Sequence, residues 1–175
     1  MAHLEQMIGA LDEAHWEFTL AFEGLADEDL WRRADPRLLS VGELAGHVMY
    51  WEAVRSPSAV SVPGLVGPSD NLPNLELLSV RSPLINHGFR YYTTGVGEPV
   101  ELGIGTAEVL SEMSRIHQDF KAALIQLNPH YTDLLPGSQQ QTWGQVLQYQ
   151  IFHVAYHTGQ AYSVRHLLGH TTTDN

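Results

Sequence analysis

A hydrophobic period near 3.6 returns in four separated segments, and this constrains the chain more than any other feature. In residues 3–24, Leu4, Ile8, Leu11, His15, Phe18 and Phe22 recur at spacings of three and four. Gly24 and the acidic stretch at 26–29 end that segment. The second segment, 41–55, opens on Ser40-Val41-Gly42-Glu43, a capping box in which the serine oxygen takes a first-turn N–H and the glutamate reaches back. Its stripe runs Leu44, Val48, Trp51, and Ser56-Pro57 stops it. The third, 107–127, follows a Thr106 cap and repeats through Leu110, Met113, His117, Phe120, Leu124 and Leu127 until Asn128-Pro129. The fourth, 142–168, starts at a Thr142 cap, runs through Trp143, Val146, Leu147, Gln150, Val154, Ala161 and Val164, and ends before Gly169.

Residues 56–105 differ in kind. They hold six of the nine prolines and many of the glycines, with no long periodic segment. Residues 89–94 and 99–104 have the composition of two short pairing strands. A connection this long within one domain is usually functional or folded on itself. The expected architecture is therefore all-α: one domain over 1–175, a four-helix bundle with a long crossover between its second and third helices.

Charge and composition then exclude several functions. The formal net charge is −11, with nine Lys plus Arg against twenty Asp plus Glu, and Lys121 is the sole lysine. Nucleic acid and anionic membrane surfaces both select cationic proteins, so neither is an expected partner. No apolar run is long enough to span a bilayer, and the first residues have neither the basic nor the apolar region of a signal peptide. A cytoplasmic location is the expectation. The chain has no cysteine, which removes disulfides, a thiol nucleophile and thiolate metal sites. It has ten histidines, so a metal site would be built from His, Asp, Glu or backbone oxygen.

His153 and His157 stand four residues apart on the fourth segment, so both rings point the same way and can meet one ion. In a chain this rich in histidine the spacing alone proves little. Direction adds to it: Val154, Ala161 and Val164 share that face, which turns the rings inward. Two buried imidazoles need partners, and one metal ion satisfies both. A second such pair, His166 and His170, straddles the end of the segment at Gly169 and reads as surface. His15, His47 and His117 each lie on the apolar stripe of their own segments. A lone histidine there is usually a hydrogen-bonded core residue, and geometry does not choose among the three as a further ligand.

Two stretches resemble a known family. Leu39-Ser40-Val41-Gly42-Glu43-Leu44-Ala45-Gly46-His47, with Trp51 following, is similar to the second-helix signature of the DinB/YfiT-like bundle proteins. Ile151-Phe152-His153-Val154-Ala155-Tyr156-His157-Thr158-Gly159-Gln160 is similar to their last-helix signature, H-x-x-x-H-x-G-Q. The resemblance implies a divalent metal site, typically zinc or nickel, on His47, His153 and His157, in a bundle that is often a homodimer. It also implies a neighbourhood of metal-dependent enzymes that act on small molecules with low-molecular-weight thiols, such as bacillithiol or mycothiol S-transferases and maleylpyruvate isomerases.

Three imidazoles leave a divalent ion an open position, as in catalytic sites. Thiol S-transfer or hydrolysis of a small-molecule substrate is the expected chemistry, and any thiol must come from a cofactor. The alternative is a non-catalytic, stress-type bundle with a structural or vestigial metal site. Gln160, Tyr156 and Trp51 are candidates to support the ligands or wall the site. Glu43 reads as the capping-box partner rather than a base. Arg81 and Arg90 in the crossover are candidates to bind a substrate carboxylate, beside His87, Tyr91 and Tyr92.

Overall fold

Two of the long helices start at the capping boxes the sequence carries, whereas the first helix ends at Leu20, four residues before Gly24. The computed structural model describes residues 2–61, 72–91 and 97–172. In chain order they form α1 (Ala2–Leu20), α2 (Asp27–Leu30), α3 (Val41–Val54), α4 (Pro57–Val60), α5 (Thr106–Leu127) and α6 (Trp143–Leu167), with 3-10 turns at Leu75–Leu77 and His87–Phe89. The capping boxes of α3 (Ser40 with Glu43) and α6 (Thr142 with Gln145) are both formed. Asn128 ends α5 in the left-handed conformation, at φ 45°.

The start of α5 differs from the expected Thr106 cap. Thr106 is the first helical residue, and its N–H donates to the Asp27 carboxylate at 2.7 Å. That bond holds Asp27 below its ordinary pKa. The cap comes from 79 positions away, so no local pattern announces it. Gly105, at the N-cap, leaves room for it: a Cβ there would stand 2.6 Å from the Asp27 oxygen.

The all-α expectation holds: the described residues contain helices and no strand, only an isolated bridge between Leu134 and Thr142. The expected strand pairing of 89–94 with 99–104 is not formed by the described part of those segments, and residues 92–96 lie outside it. Phe89 closes a 3-10 turn instead, and the Val100 N–H donates to the Glu43 side chain at 3.0 Å. A helix carboxylate takes the place of a neighbouring strand.

Four long helices carry the core. α1 packs along α6, and α3 packs on both α5 and α6. The α5 stripe buries Val109, Met113, Ile116, Phe120 and Leu124, as its period requires. α3 is more enclosed than its Leu44–Val48–Trp51 stripe predicts. Every residue of it except Trp51 is buried, including Glu43 and Glu52. The reason is a second cover. Trp31 and Phe89 stack with ring centres 6.3 Å apart, and Gly42 and Gly46, one turn apart on α3, admit them. A Cβ on either glycine would come within 2.6 Å of those rings. The carboxylate of Glu43 ties this cover down. It receives Arg33 at 2.8 and 2.5 Å, Tyr91 Oη at 2.9 Å and the Ser40 N–H at 2.8 Å. At the far end, the buried Arg165 of α6 donates to the carbonyls of Leu20, Ala21 and Glu23, the last acceptors of α1 and the turn after it. No described helix is long and apolar enough to cross a membrane.

Candidate metal centre

α3 and α6 meet where their histidines face each other. His47, His153 and His157 are 6–8% exposed, and each offers a ring nitrogen within 4.8 Å of the other two. The Nε2 atoms of His47 and His153 are 3.2 Å apart. The His157 ring centre is 4.6 Å from both other rings, each time edge to face.

The outer nitrogens show which atoms face inward. His47 Nδ1–H donates to the Phe89 carbonyl at 2.8 Å, and His157 Nδ1–H donates to Gln160 Oε1 at 2.6 Å. Both acceptors lack a proton, so both rings carry theirs on Nδ1 and turn a bare Nε2 to the centre. Metal-binding histidines are commonly oriented by such outer bonds. His153 Nδ1 is buried with no partner. Burial pushes all three imidazoles down, His153 to about 2 and His157 to about 4; the neighbouring rings reinforce this at His153 and His157, and the Arg55 charge does so at His47. They are neutral near pH 7, the state in which imidazole ligates. Three converging neutral donors, two with fixed tautomers, fit a divalent ion.

The triad lines a cleft of about 800 Å³. Trp51, Tyr91, Tyr149, Phe152 and Tyr156 line it with Arg37 and Arg55. Gln160 and Tyr156 both sit in the cleft, and Gln160 Nε2–H donates to Tyr156 Oη at 3.3 Å. One amide thus links His157 to the cleft wall. Arg81 and Arg90 do not line this cleft. Arg81 donates to the carbonyls of Leu75 (2.6 Å) and Glu76, bracing the 3-10 turn at Leu75–Leu77. Arg90 borders a separate cleft with His87 and Val100, and its carbonyl accepts the Trp51 indole N–H at 3.3 Å.

His15 and His117 are absent from the triad. They bind Glu52, a carboxylate buried completely inside α3. His15 Nε2 lies 2.6 Å from one Glu52 oxygen and His117 Nδ1 lies 2.7 Å from the other. His117 Nε2 is 2.8 Å from Asp12, which also holds Lys121. Flanked by carboxylates on both nitrogens, His117 donates from both and is an imidazolium. Burial opposes that charge, but the bonds and charges of Glu52 and Asp12 outweigh it, and its pKa is raised. Burial also opposes charge on Glu52, yet the two imidazoles hold it down to about 2. The His15 and His117 rings lie 3.9 Å apart at 30°, so their nitrogens address one carboxylate side by side. That arrangement satisfies a hydrogen-bonded ion cluster.

No sequence pattern singles out Phe89, Glu52, Arg55, Tyr149 or Phe152 as functional residues. Two left a trace: Tyr149 and Phe152 precede Tyr156 at spacings of three and four, an aromatic stripe on the outer side of α6.

A family model described as the DinB superfamily matches residues 10–161. The chain belongs to this superfamily. The match spans His47, His153 and His157 along with all four long helices, in part or whole. No curated protein and no solved structure matches the chain.

Proposed function

We propose that this DinB superfamily member is a divalent-metal-dependent enzyme acting on a small molecule, with His47, His153 and His157 as the metal ligands. The observation that carries the reading is the opening of three neutral, converging imidazoles onto a large aromatic cleft. A purely structural site is closed by a fourth protein ligand, whereas a three-ligand site keeps a position for chemistry. A divalent ion held there, zinc or nickel, supplies Lewis acidity that favours the deprotonated form of a thiol or of water.

The chain's own residues supply the rest. Gln160 fixes the His157 ring through its Nδ1–H, and the Phe89 carbonyl fixes His47. The aromatic wall holds the apolar body of an electrophile beside the triad. With no cysteine in the chain, S-transfer requires a low-molecular-weight thiol as co-substrate. The sulfur–carbon bond forms as the bond to the leaving group breaks, and the thiol proton departs with the leaving group. Hydrolysis of the same electrophile is the related reaction, with water in place of the thiol. In this reading the four long helices act as the family's bundle, in one cytoplasmic domain that pairs as a homodimer.

The test is turnover by the zinc- or nickel-loaded chain with a panel of electrophiles, with and without bacillithiol or mycothiol. Activity that needs the metal and disappears in His153→Ala supports the enzyme. Stoichiometric metal that raises the melting temperature, with no turnover across the panel, supports the non-catalytic bundle instead.

A further inference from the structure

The charge of the cleft is opposite to that of the chain. The sequence carries twenty carboxylates against nine cations. Among the described residues, the cleft lining holds two guanidiniums, Arg37 and Arg55, and no Asp or Glu. The triad beside them is neutral. Any ion bound by the triad would add further positive charge.

The two guanidiniums are not equivalent. Arg37 is exposed at the rim and holds Asp35 through Nε (2.9 Å) and Nη2 (3.0 Å). Arg55, at the C-terminal end of α3, is half-buried. Its guanidinium carbon lies 4.7 Å from the Trp51 ring centre and 4.8 Å from that of Tyr149. Nη1 donates to Gln150 Oε1 at 3.3 Å. The two rings packed against it restrict the fork, and a guanidinium held beside aromatic rings is suited to take a carboxylate. Its charge is felt at His47 and His153, where it disfavours protonation.

The aromatic residues give the other half of the ligand. Tyr149, Phe152 and Tyr156 are 44–59% exposed although all three line the cleft. Phe152 and Tyr156 stack with ring centres 5.9 Å apart. Exposed aromatic surface gathered at a concave site marks a surface that binds.

We propose that the cleft selects a small organic anion with a flat apolar body, an aromatic carboxylate or its like, and that Arg55 is the specificity-determining residue that takes the carboxylate. This rests on the reading of the cleft as the substrate site and names the substrate class.

The probes are 1-naphthoate and its neutral isostere 1-naphthamide, titrated calorimetrically into the full chain, zinc-loaded and zinc-free. The carboxylate is expected to bind about tenfold more tightly than the amide in both forms, the scale of a charge-assisted hydrogen bond. Arg55→Gln brings the two probes within about twofold and leaves zinc content unchanged. Arg55→Lys keeps part of the preference. Equal affinities in the wild type, binding of neither probe, or a preference that survives Arg55→Gln overturns the proposal. So does a preference seen only with zinc, which places the anion on the metal. Zinc stoichiometry tests the metal-centre reading separately. A chain that takes no zinc yet keeps an Arg55-dependent preference refutes that reading and supports this one.

Discussion

The Nε2 atoms of His47 and His153 face each other at 3.2 Å across the α3–α6 interface. His47 carries its proton on Nδ1, bonded to Phe89, so its Nε2 can only accept. The contact is a hydrogen bond only if His153 holds its proton on Nε2, which leaves the partnerless Nδ1 of His153 as a bare lone pair. Ligation through both Nε2 atoms therefore requires the His153 proton to move to Nδ1. Zinc addition is expected to switch His153 from the Nε2–H to the Nδ1–H tautomer while His47 and His157 keep theirs. Long-range nitrogen–proton correlation spectra read this directly. An Nδ1–H His153 in the metal-free chain would refute it.

Metal ligation by the triad would make stability depend on metal. A ligand that binds only the folded state at a hundredfold above its Kd stabilises by about 2.7 kcal/mol. For a chain of this size that raises Tm by about 5–10 °C. Zinc should produce a rise on this scale in the wild type, a chelator should reverse it, and His153→Ala should abolish it. Scanning calorimetry at fixed free zinc gives the answer, and an equal rise in His153→Ala would place the ion elsewhere.

Gln160 is bonded to His157 and is expected to act through it. Its Oε1 takes the Nδ1–H at 2.6 Å, and losing such an outer partner typically weakens metal binding by about 10- to 100-fold. Gln160→Leu is expected to fall in that range with little change in the Tm of the metal-free chain. Gln160→Glu, a stronger acceptor, is expected to restore affinity. Competition with a chromogenic chelator measures both variants.

The Glu52 cluster gives the fold a pH window. Glu52 is depressed from 4.5 to about 2, so its contribution is present above pH 4.5 and is lost as pH falls from there toward 2. His117 is raised above 6.5, so its contribution is full below pH 6.5 and is lost as pH rises through its folded value. Removing one partner of a buried ion cluster costs about 3–5 kcal/mol. The difference in unfolding free energy between wild type and Glu52→Ala should reach that size between about pH 4.5 and 6.5 and shrink on either side. Urea titrations across that range test it, and a pH-independent difference would rule the ion cluster out.

What the sequence made legible was what repeats or caps locally. The helices of 41–55 and 142–168 end within a residue of their expected bounds, because Ser40–Glu43 and Thr142–Gln145 are short-range devices. His153 and His157 face inward as their stripe requires. His47 came from family resemblance, since periodicity made His15 and His117 equally eligible. The difference between them lies in Glu52, a carboxylate that no sequence pattern marks as buried and that is bonded to His15 of α1 and His117 of α5. The partner of His47 is a main-chain carbonyl, and backbone atoms carry no residue signature. No local pattern singles out Arg55, because its place depends on Tyr149, which α6 brings beside it.

Gly46 links the covering loop to the histidine triad through Phe89. A Cβ on Gly46 would lie 2.5 Å from the Phe89 ring, which is fully buried, so the ring has to move, and with it the carbonyl that orients His47. Gly46→Ala gains about 1 kcal/mol of helix propensity but incurs an overpacking cost of about 1–3 kcal/mol. The overpacking term should win, because the clashing atoms belong to a stiff ring packed against Trp31. Gly159, on α6, is the control: its Cβ would meet nothing within 4 Å, so Gly159→Ala shows the propensity gain alone. Gly46→Ala should lower both unfolding free energy and zinc affinity, and adding Phe89→Leu should recover part of the stability by relieving the clash. Urea unfolding and zinc titration of the three variants test the coupling. A Gly46→Ala chain that loses stability yet binds zinc as tightly as wild type would show that His47 does not depend on the placement of Phe89.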